Sequence, residues 1–173
     1  LLFYSPAVLW SRHNLALMDT ALDHLEKGGR ASVLVCDGAL ANCPPNESHA
    51  FSLCRLCRRQ SRHNIDQVLS RRVAQVRLNL VASPSIVRVE SFQQLDEIET
   101  DGVQLGTFVA RELMDEARDM VQDPLNAAEK ARATRLLENA RRLFRAGVQL
   151  FEESDFDRLV VTNGRHDSDG PLV

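Results

Sequence analysis

The sequence predicts an α/β fold: a mainly parallel, Rossmann-like sheet flanked by helices, with a cysteine-rich loop excursion after the second strand. Three observations predict it. Short apolar runs of strand length stand at residues 1–4, 31–36 and 159–161; amphipathic stretches lie between them, with apolar residues three and four apart; and the two kinds alternate along the chain. Strand, helix and strand within residues 1–36 make a βαβ unit, whose strands run parallel through a right-handed crossover.

The first strand, Leu1 to Tyr4, is closed by Ser5-Pro6, because proline removes an amide donor and fixes the chain direction. The first helix carries Leu15, Met18, Ala21, Leu22 and Leu25 as its stripe and stops at Gly28-Gly29. ASVLVC, residues 31–36, is a continuous apolar run suited to a strand covered on both faces. A cysteine-rich loop over residues 36–57 is expected to follow. Beyond it, Ile65, Val68, Leu69, Val73 and Val76 recur at rough helical spacing. SIVRVESF, residues 85–92, alternates and reads as the third strand.

A helix is expected over 105–121, on Leu105, Phe108, Val109, Leu113, Ala117 and Met120. After the break at Asp123-Pro124, Asn126 and Glu129 have the form of a capping box. It opens the strongest helix, with Ala133, Leu136, Leu137, Ala140, Leu143, Phe144, Val148 and Phe151 as its stripe. RLVVTNG, from Arg158 to Gly164, is the last strand and its turn.

A chain of 173 residues with 44% hydrophobic and 26% charged content can bury one good core, so residues 1–173 read as a single domain. The net charge of -3 gives no global reason to expect nucleic acid or an anionic membrane as partner. No stretch approaches the roughly 18–20 apolar residues that span a bilayer, so no transmembrane segment is expected. The expected compartment is the cytoplasm, including the inner face of the membrane. There disulfides are rarely kept, and clustered cysteines bind metal or do redox chemistry more often.

Parallel sheets hold ligands beyond the carboxyl ends of their strands. That rule gathers Ser5, Cys36, Asp37, Gly38 and the segment Asn163-Gly164-Arg165 on one rim. All four cysteines fall there, as C-x6-C-x10-C-x2-C: Cys36, Cys43, Cys54 and Cys57. A C-x2-C pair can clamp a metal, and two further thiolates complete a zinc shell or the four-thiolate shell of an iron-sulfur cluster. Zinc is the first expectation, since a closed thiolate shell needs no redox partner and would pin a long loop. Four unconnected structural thiols, or disulfide or redox pairs, stand beside it.

The segment 54–77 carries Arg55, Arg58, Arg59, Arg62, Arg71, Arg72 and Arg77 against Asp66 alone. Guanidinium forks suit phosphate, yet no aromatic residue lies within the segment for a base to stack on. A solvated helix face explains the arginines as well, and nucleic acid is not the expected partner. In TNGRH, Asn-Gly has the form of a plain turn. Asn163 and Arg165 could equally grip hydroxyls or a phosphate. The sequence holds no G-x-G-x-x-G, phosphate-binding P-loop, G-x-S-x-G or H-E-x-x-H.

The run VLVCDGALANC, the later CRLCRRQ, the DGVQLG of residues 101–106 and the terminal VVTNGRH together resemble the N-terminal half of bacterial capsular polysaccharide biosynthesis proteins of glycosyltransferase type. The resemblance implies a two-domain enzyme with facing Rossmann-like halves, this chain being the N-terminal acceptor-side domain and a missing C-terminal domain holding the nucleotide-sugar donor. It implies a glycan acceptor as the partner of this half. Asn163, Gly164 and Arg165 would be its N-G-R motif, and Cys36, Asp37, Gly38, Cys43, Cys54 and Cys57 its cysteine motif. Asp37 is the best-placed general base. The competing expectation is a zinc-stabilised binding module that offers the arginine-rich helix to RNA or another polyanion.

Overall fold

A computed structural model describes residues 1–5, 8–9, 11–36, 38–40, 43, 46, 50–70, 72–80, 87–117, 124–161 and 170–172. Its sheet has four strands, β1 (Leu2–Tyr4), β2 (Ser32–Val35), β3 (Ala74–Arg77) and β4 (Leu159–Val161), in the order β3-β2-β1-β4. Every pairing is parallel, with Phe3 opposite both Val33 and Val160, and Leu34 opposite Val76. The expected parallel α/β fold is therefore present, and all four carboxyl ends share one edge.

Helices α1 (Ser11–Glu26) and α2 (Phe51–Val68) cover one face of the sheet. Side chains alternate across a strand, so Phe3 and Val33 point into this layer against Leu17, Met18, Ala21, Ile65 and Leu69. Leu2, Tyr4 and Leu34 point the other way, onto Leu143 and Ala146 of the long helix α5 (Ala127–Glu152). Earlier along α5, Ala133, Leu136 and Leu137 join a second core with the short helix α3 (Phe92–Leu95) and with α4 (Leu105–Ala117). A closing 3-10 turn, Gly170–Leu172, packs on α5, where a side chain at Gly147 would overlap Leu172.

The predicted capping box is present. Asn126 Oδ1 accepts from the N–H groups of Ala128 (2.9 Å) and Glu129 (3.0 Å), and Glu129 Oε2 accepts from Asn126 N–H at 2.7 Å. Three expectations need correction. The third strand is Ala74–Arg77, in a stretch whose apolar spacing predicts helix; of the strand expected over 85–92, residues 85 and 86 lie outside the described residues, 87–90 are irregular and Phe92 opens α3. Val89 is buried with α4 and α5, and its N–H donates to Thr134 Oγ1 (3.1 Å) rather than to a neighbouring strand. The apolar stripes are also slightly rotated: Leu15 is 45% exposed and Val148 43%, and Ala117 is exposed. Finally, part of the cysteine-bearing segment is helix, because α2 starts at Phe51 and carries Cys54 and Cys57. Among the described residues no helix is long and apolar enough to cross a membrane.

Candidate functional site

A cavity of about 280 Å³ opens at the carboxyl edge of β1, β2 and β3, on the side covered by α1 and α2. Its wall includes Ser5 from the end of β1, Cys36 and Gly38 after β2, and Arg77 at the end of β3. Asn14 and Met18 come from α1, and Cys54, Cys57, Arg58, Ser61 and Arg62 from α2. Cys43 completes the ring from the intervening loop. The four cysteines, spread over the sequence, therefore face one space, and all four are free thiols.

Local structure explains the convergence. Cys54 and Cys57 stand three apart on α2, so they share its inward face, with Arg58 and Ser61 continuing the row. Cys36 is delivered by the end of β2. Asn46, buried, fastens the loop to the start of α2: its Oδ1 accepts from Ala50 N–H (2.9 Å), and its Nδ2 donates to the Ala50 carbonyl (3.1 Å) and to Cys54 Sγ (3.2 Å). The Asn46 N–H also reaches back to the Cys43 carbonyl at 2.7 Å. Asn46 thus holds in place the N-cap residue Ala50, which offers no side-chain cap of its own.

The thiols feel one another. Burial pushes the Cys43 thiol up to about 12, and the like charges that Cys36, Cys57 and Cys54 would carry add to it, while the Asn46 backbone N–H works the other way. Cys57 is pushed up to about 11 by burial and then by Cys36 and Cys54, opposed by the Val8 N–H and the Arg58 guanidinium. Mutual repulsion of this kind requires the four sulfurs to lie within electrostatic reach. They ring the wall, however, rather than meeting at a point: among the described residues no three His, Cys, Asp or Glu side chains are placed to hold a single metal ion.

Ser5 Oγ and Asn14 Nδ2, in the wall, lack a hydrogen-bond partner among the described residues and belong to residues that are 6% and 1% exposed. Gly38 has φ of +82°, and a Cβ there would come within 2.8 Å of an Arg58 terminal nitrogen. Glycine thus permits both the left-handed turn and the seat of Arg58.

Of the residues the sequence singled out, Ser5, Gly38 and the four cysteines do meet in this cavity. Asp37, Asn163, Gly164 and Arg165 lie outside the described residues, although β4 ends at Val161 on the same edge. The arginines divide: Arg58, Arg62 and Arg77 line the cavity, while Arg55 stands over the ring of Phe51, 5.7 Å from its centroid. Sequence reasoning missed Asn14 and Asn46. A signal for Asn14 existed, since it is the polar member of the row 14, 18, 21, 25 that α1 buries. No family model, no curated protein and no solved structure matches this chain.

Proposed function

We propose that this chain is the acceptor-side, Rossmann-like domain of a glycosyltransferase-type protein of surface polysaccharide biosynthesis, and that its cavity receives an anionic portion of the glycan. The observation that carries the reading is the position of the cavity, beyond the carboxyl ends of three adjacent parallel strands, where open α/β sheets take their ligands. The motif order of the sequence supports the glycan assignment. Arg58, Arg62 and Arg77 in the wall supply fixed positive charge for a phosphate or carboxylate, and Ser5 and Asn14 supply donors for hydroxyls. In this reading Asp37, directly after Cys36, takes the proton of the acceptor hydroxyl, while a facing nucleotide-sugar domain stabilises the departing diphosphate.

Saturation-transfer NMR on the 173-residue chain tests binding directly. An oligosaccharide carrying phosphate or uronate groups should receive saturation, and Arg62→Ala should weaken its binding by about tenfold, the ~1.4 kcal/mol expected for one charge-assisted contact. Absence of transfer to acidic and neutral oligosaccharides alike at millimolar concentration defeats the proposal. In a protein carrying both domains, Asp37→Ala should abolish sugar transfer while the fold is retained; unchanged turnover removes Asp37 from the chemistry.

One observation favours a second reading, the polyanion-binding module. Phe51, 69% exposed and carrying Arg55 over its ring, stands with exposed Arg59 near the start of α2 and could stack a base. Such binding would weaken steeply with salt, in proportion to the phosphates engaged.

A further inference from the structure

We propose that Cys36, Cys43, Cys54 and Cys57 are the four ligands of a four-iron, four-sulfide cluster seated in the cavity at the carboxyl edge of the sheet. The inference does not rest on the glycan reading; the cluster would fill the same cavity and take the same donors and arginines, so the two are alternative occupants of one site.

The first argument is arrangement. A tetrahedral zinc shell with Zn–S bonds near 2.3 Å needs its sulfurs about 3.8 Å apart around one point. Here the thiols instead line a shared space of about 280 Å³, Cys54 and Cys57 from one face of α2, Cys36 from the end of β2 and Cys43 from between them, and among the described residues no three are placed around a single ion. A cubane cluster asks for that arrangement, because each thiolate binds a different iron at a different corner.

The second argument is hydrogen bonding. The Cys54 sulfur already receives an N–H group from the Asn46 side chain at 3.2 Å, and the backbone N–H groups of Val8 and Asn46 favour negative charge at Cys57 and Cys43. Donors of this kind set the potential of a thiolate-bound cluster, and they serve little purpose around neutral thiols, which accept weakly. Two more donors, Ser5 Oγ and Asn14 Nδ2, are buried in the same wall without partners among the described residues. Cluster sulfides would accept from both.

The third argument is charge. Four thiolates around a cubane leave net negative charge, and the wall answers with Arg58, Arg62 and Arg77. Gly38 gives Arg58 its place, since any side chain there would crowd the guanidinium.

The test uses the 173-residue chain under strictly anaerobic conditions. It is offered a preformed synthetic cluster of four irons and four sulfides held by four small thiolates. Uptake is a ligand exchange: four Fe–Sγ bonds form, four Fe–S bonds to the small thiolates break, each cysteine proton passes to a departing thiolate, and no electron moves. After gel filtration the expected result is about four irons and four sulfides per chain, with the broad visible absorption of a cluster. Cys57→Ser and Cys43→Ser should each lower retained iron at least about threefold, with the far-ultraviolet circular dichroism of the parent. Asn14→Leu should retain the iron and move the reduction potential, an effect that a residue without contact to the cluster would not have. Failure to retain iron overturns the proposal. So does retention that the serine variants leave unchanged, or preferential uptake of one zinc per chain when zinc and the cluster are offered together.

Discussion

Replacing Ser5 by alanine should make the ligand-free chain more stable. The hydroxyl is 6% exposed as part of its residue, and its oxygen has no partner among the described residues. A buried hydroxyl left unpaired costs about 1–3 kcal/mol. The wall it belongs to encloses about 280 Å³, room enough for water to relieve part of that cost, which leaves about 0.5–1 kcal/mol. Alanine keeps the Cβ and backbone of serine, adds no volume and removes the unpaired group. For a chain of this size each kcal/mol moves the melting temperature by about 2–4 °C, so Ser5→Ala should melt about 1–4 °C higher than the parent. Thermal and urea unfolding, both followed by circular dichroism, measure it. With the cavity filled by a ligand that accepts from Ser5, the advantage should vanish or reverse. Destabilisation of the ligand-free protein by 0.5 kcal/mol or more, roughly the resolution of the measurement, would refute the reasoning, because it would mean that the hydroxyl is already satisfied.

Other substitutions probe the frame and the thiols. Asn126→Ala removes the acceptor for two amides at the start of α5 and should cost about 1 kcal/mol by urea unfolding, with Asn126→Ser recovering most of it. Thr134→Val, which keeps the shape but leaves the buried Val89 N–H without its acceptor, should cost about 1–2 kcal/mol in the same assay. Gly106→Ala should lose more than either, because a Cβ there overlaps the Leu95 carbonyl oxygen and the backbone has to move; a change within 0.5 kcal/mol of the parent would contradict the packing. In the ligand-free chain, Cys43 and Cys57 hold their protons to higher pH than they do when unfolded. Between about pH 8.5 and 11 the unfolded state therefore binds fewer protons, and stability should fall as pH rises. The double variant Cys43→Ala/Cys57→Ala should flatten that slope, as measured by unfolding midpoints across the range.

How much of this was legible depends on how strongly each element is covered. β1 and β2 are buried centrally and read as apolar runs, and α5 announces itself through Asn126, Glu129 and a long stripe. β3 pairs with β2 alone, so Ala74, Gln75 and Arg77 stay exposed and only Val76 faces in. An edge strand of that composition carries no alternation to find. Val87 and Val89 alternate like a strand for another reason: an extended segment lies against α4 and α5, and the Val89 amide is taken by a threonine. The cysteine cavity was legible in outline, because parallel topology alone puts Ser5, Cys36 and Gly38 on one edge. The placement of Cys54 and Cys57 on a helix was not, since the residue that starts this helix, Asn46, acts from four positions before Ala50.

The molecule also separates its stability from its chemistry. Among the described residues, every one that lines the cavity lies in the chain up to Arg77, on β1, β2, β3, α1, α2 and their connections. The core of α3, α4 and the first half of α5 contributes none of them. α5 joins the two regions by burying Leu143 and Ala146 under the opposite face of the sheet, so the strands that hold Ser5 and Cys36 are backed by a continuous apolar layer. Cys36 itself touches that layer while lining the cavity. A chain that used cysteine only as a small apolar filler would have no reason to gather four at the open edge instead. There Cys43 and Cys57 are pushed up by burial and by the neighbouring thiols, Cys54 accepts from the Asn46 side chain, and arginines line the same wall. The N–H donor and the arginines become favourable once negative charge is held at the sulfurs, and they offset the repulsion that the thiolates would feel from one another. The physical case for a bound centre therefore rests on the surroundings of the thiols as much as on the thiols themselves.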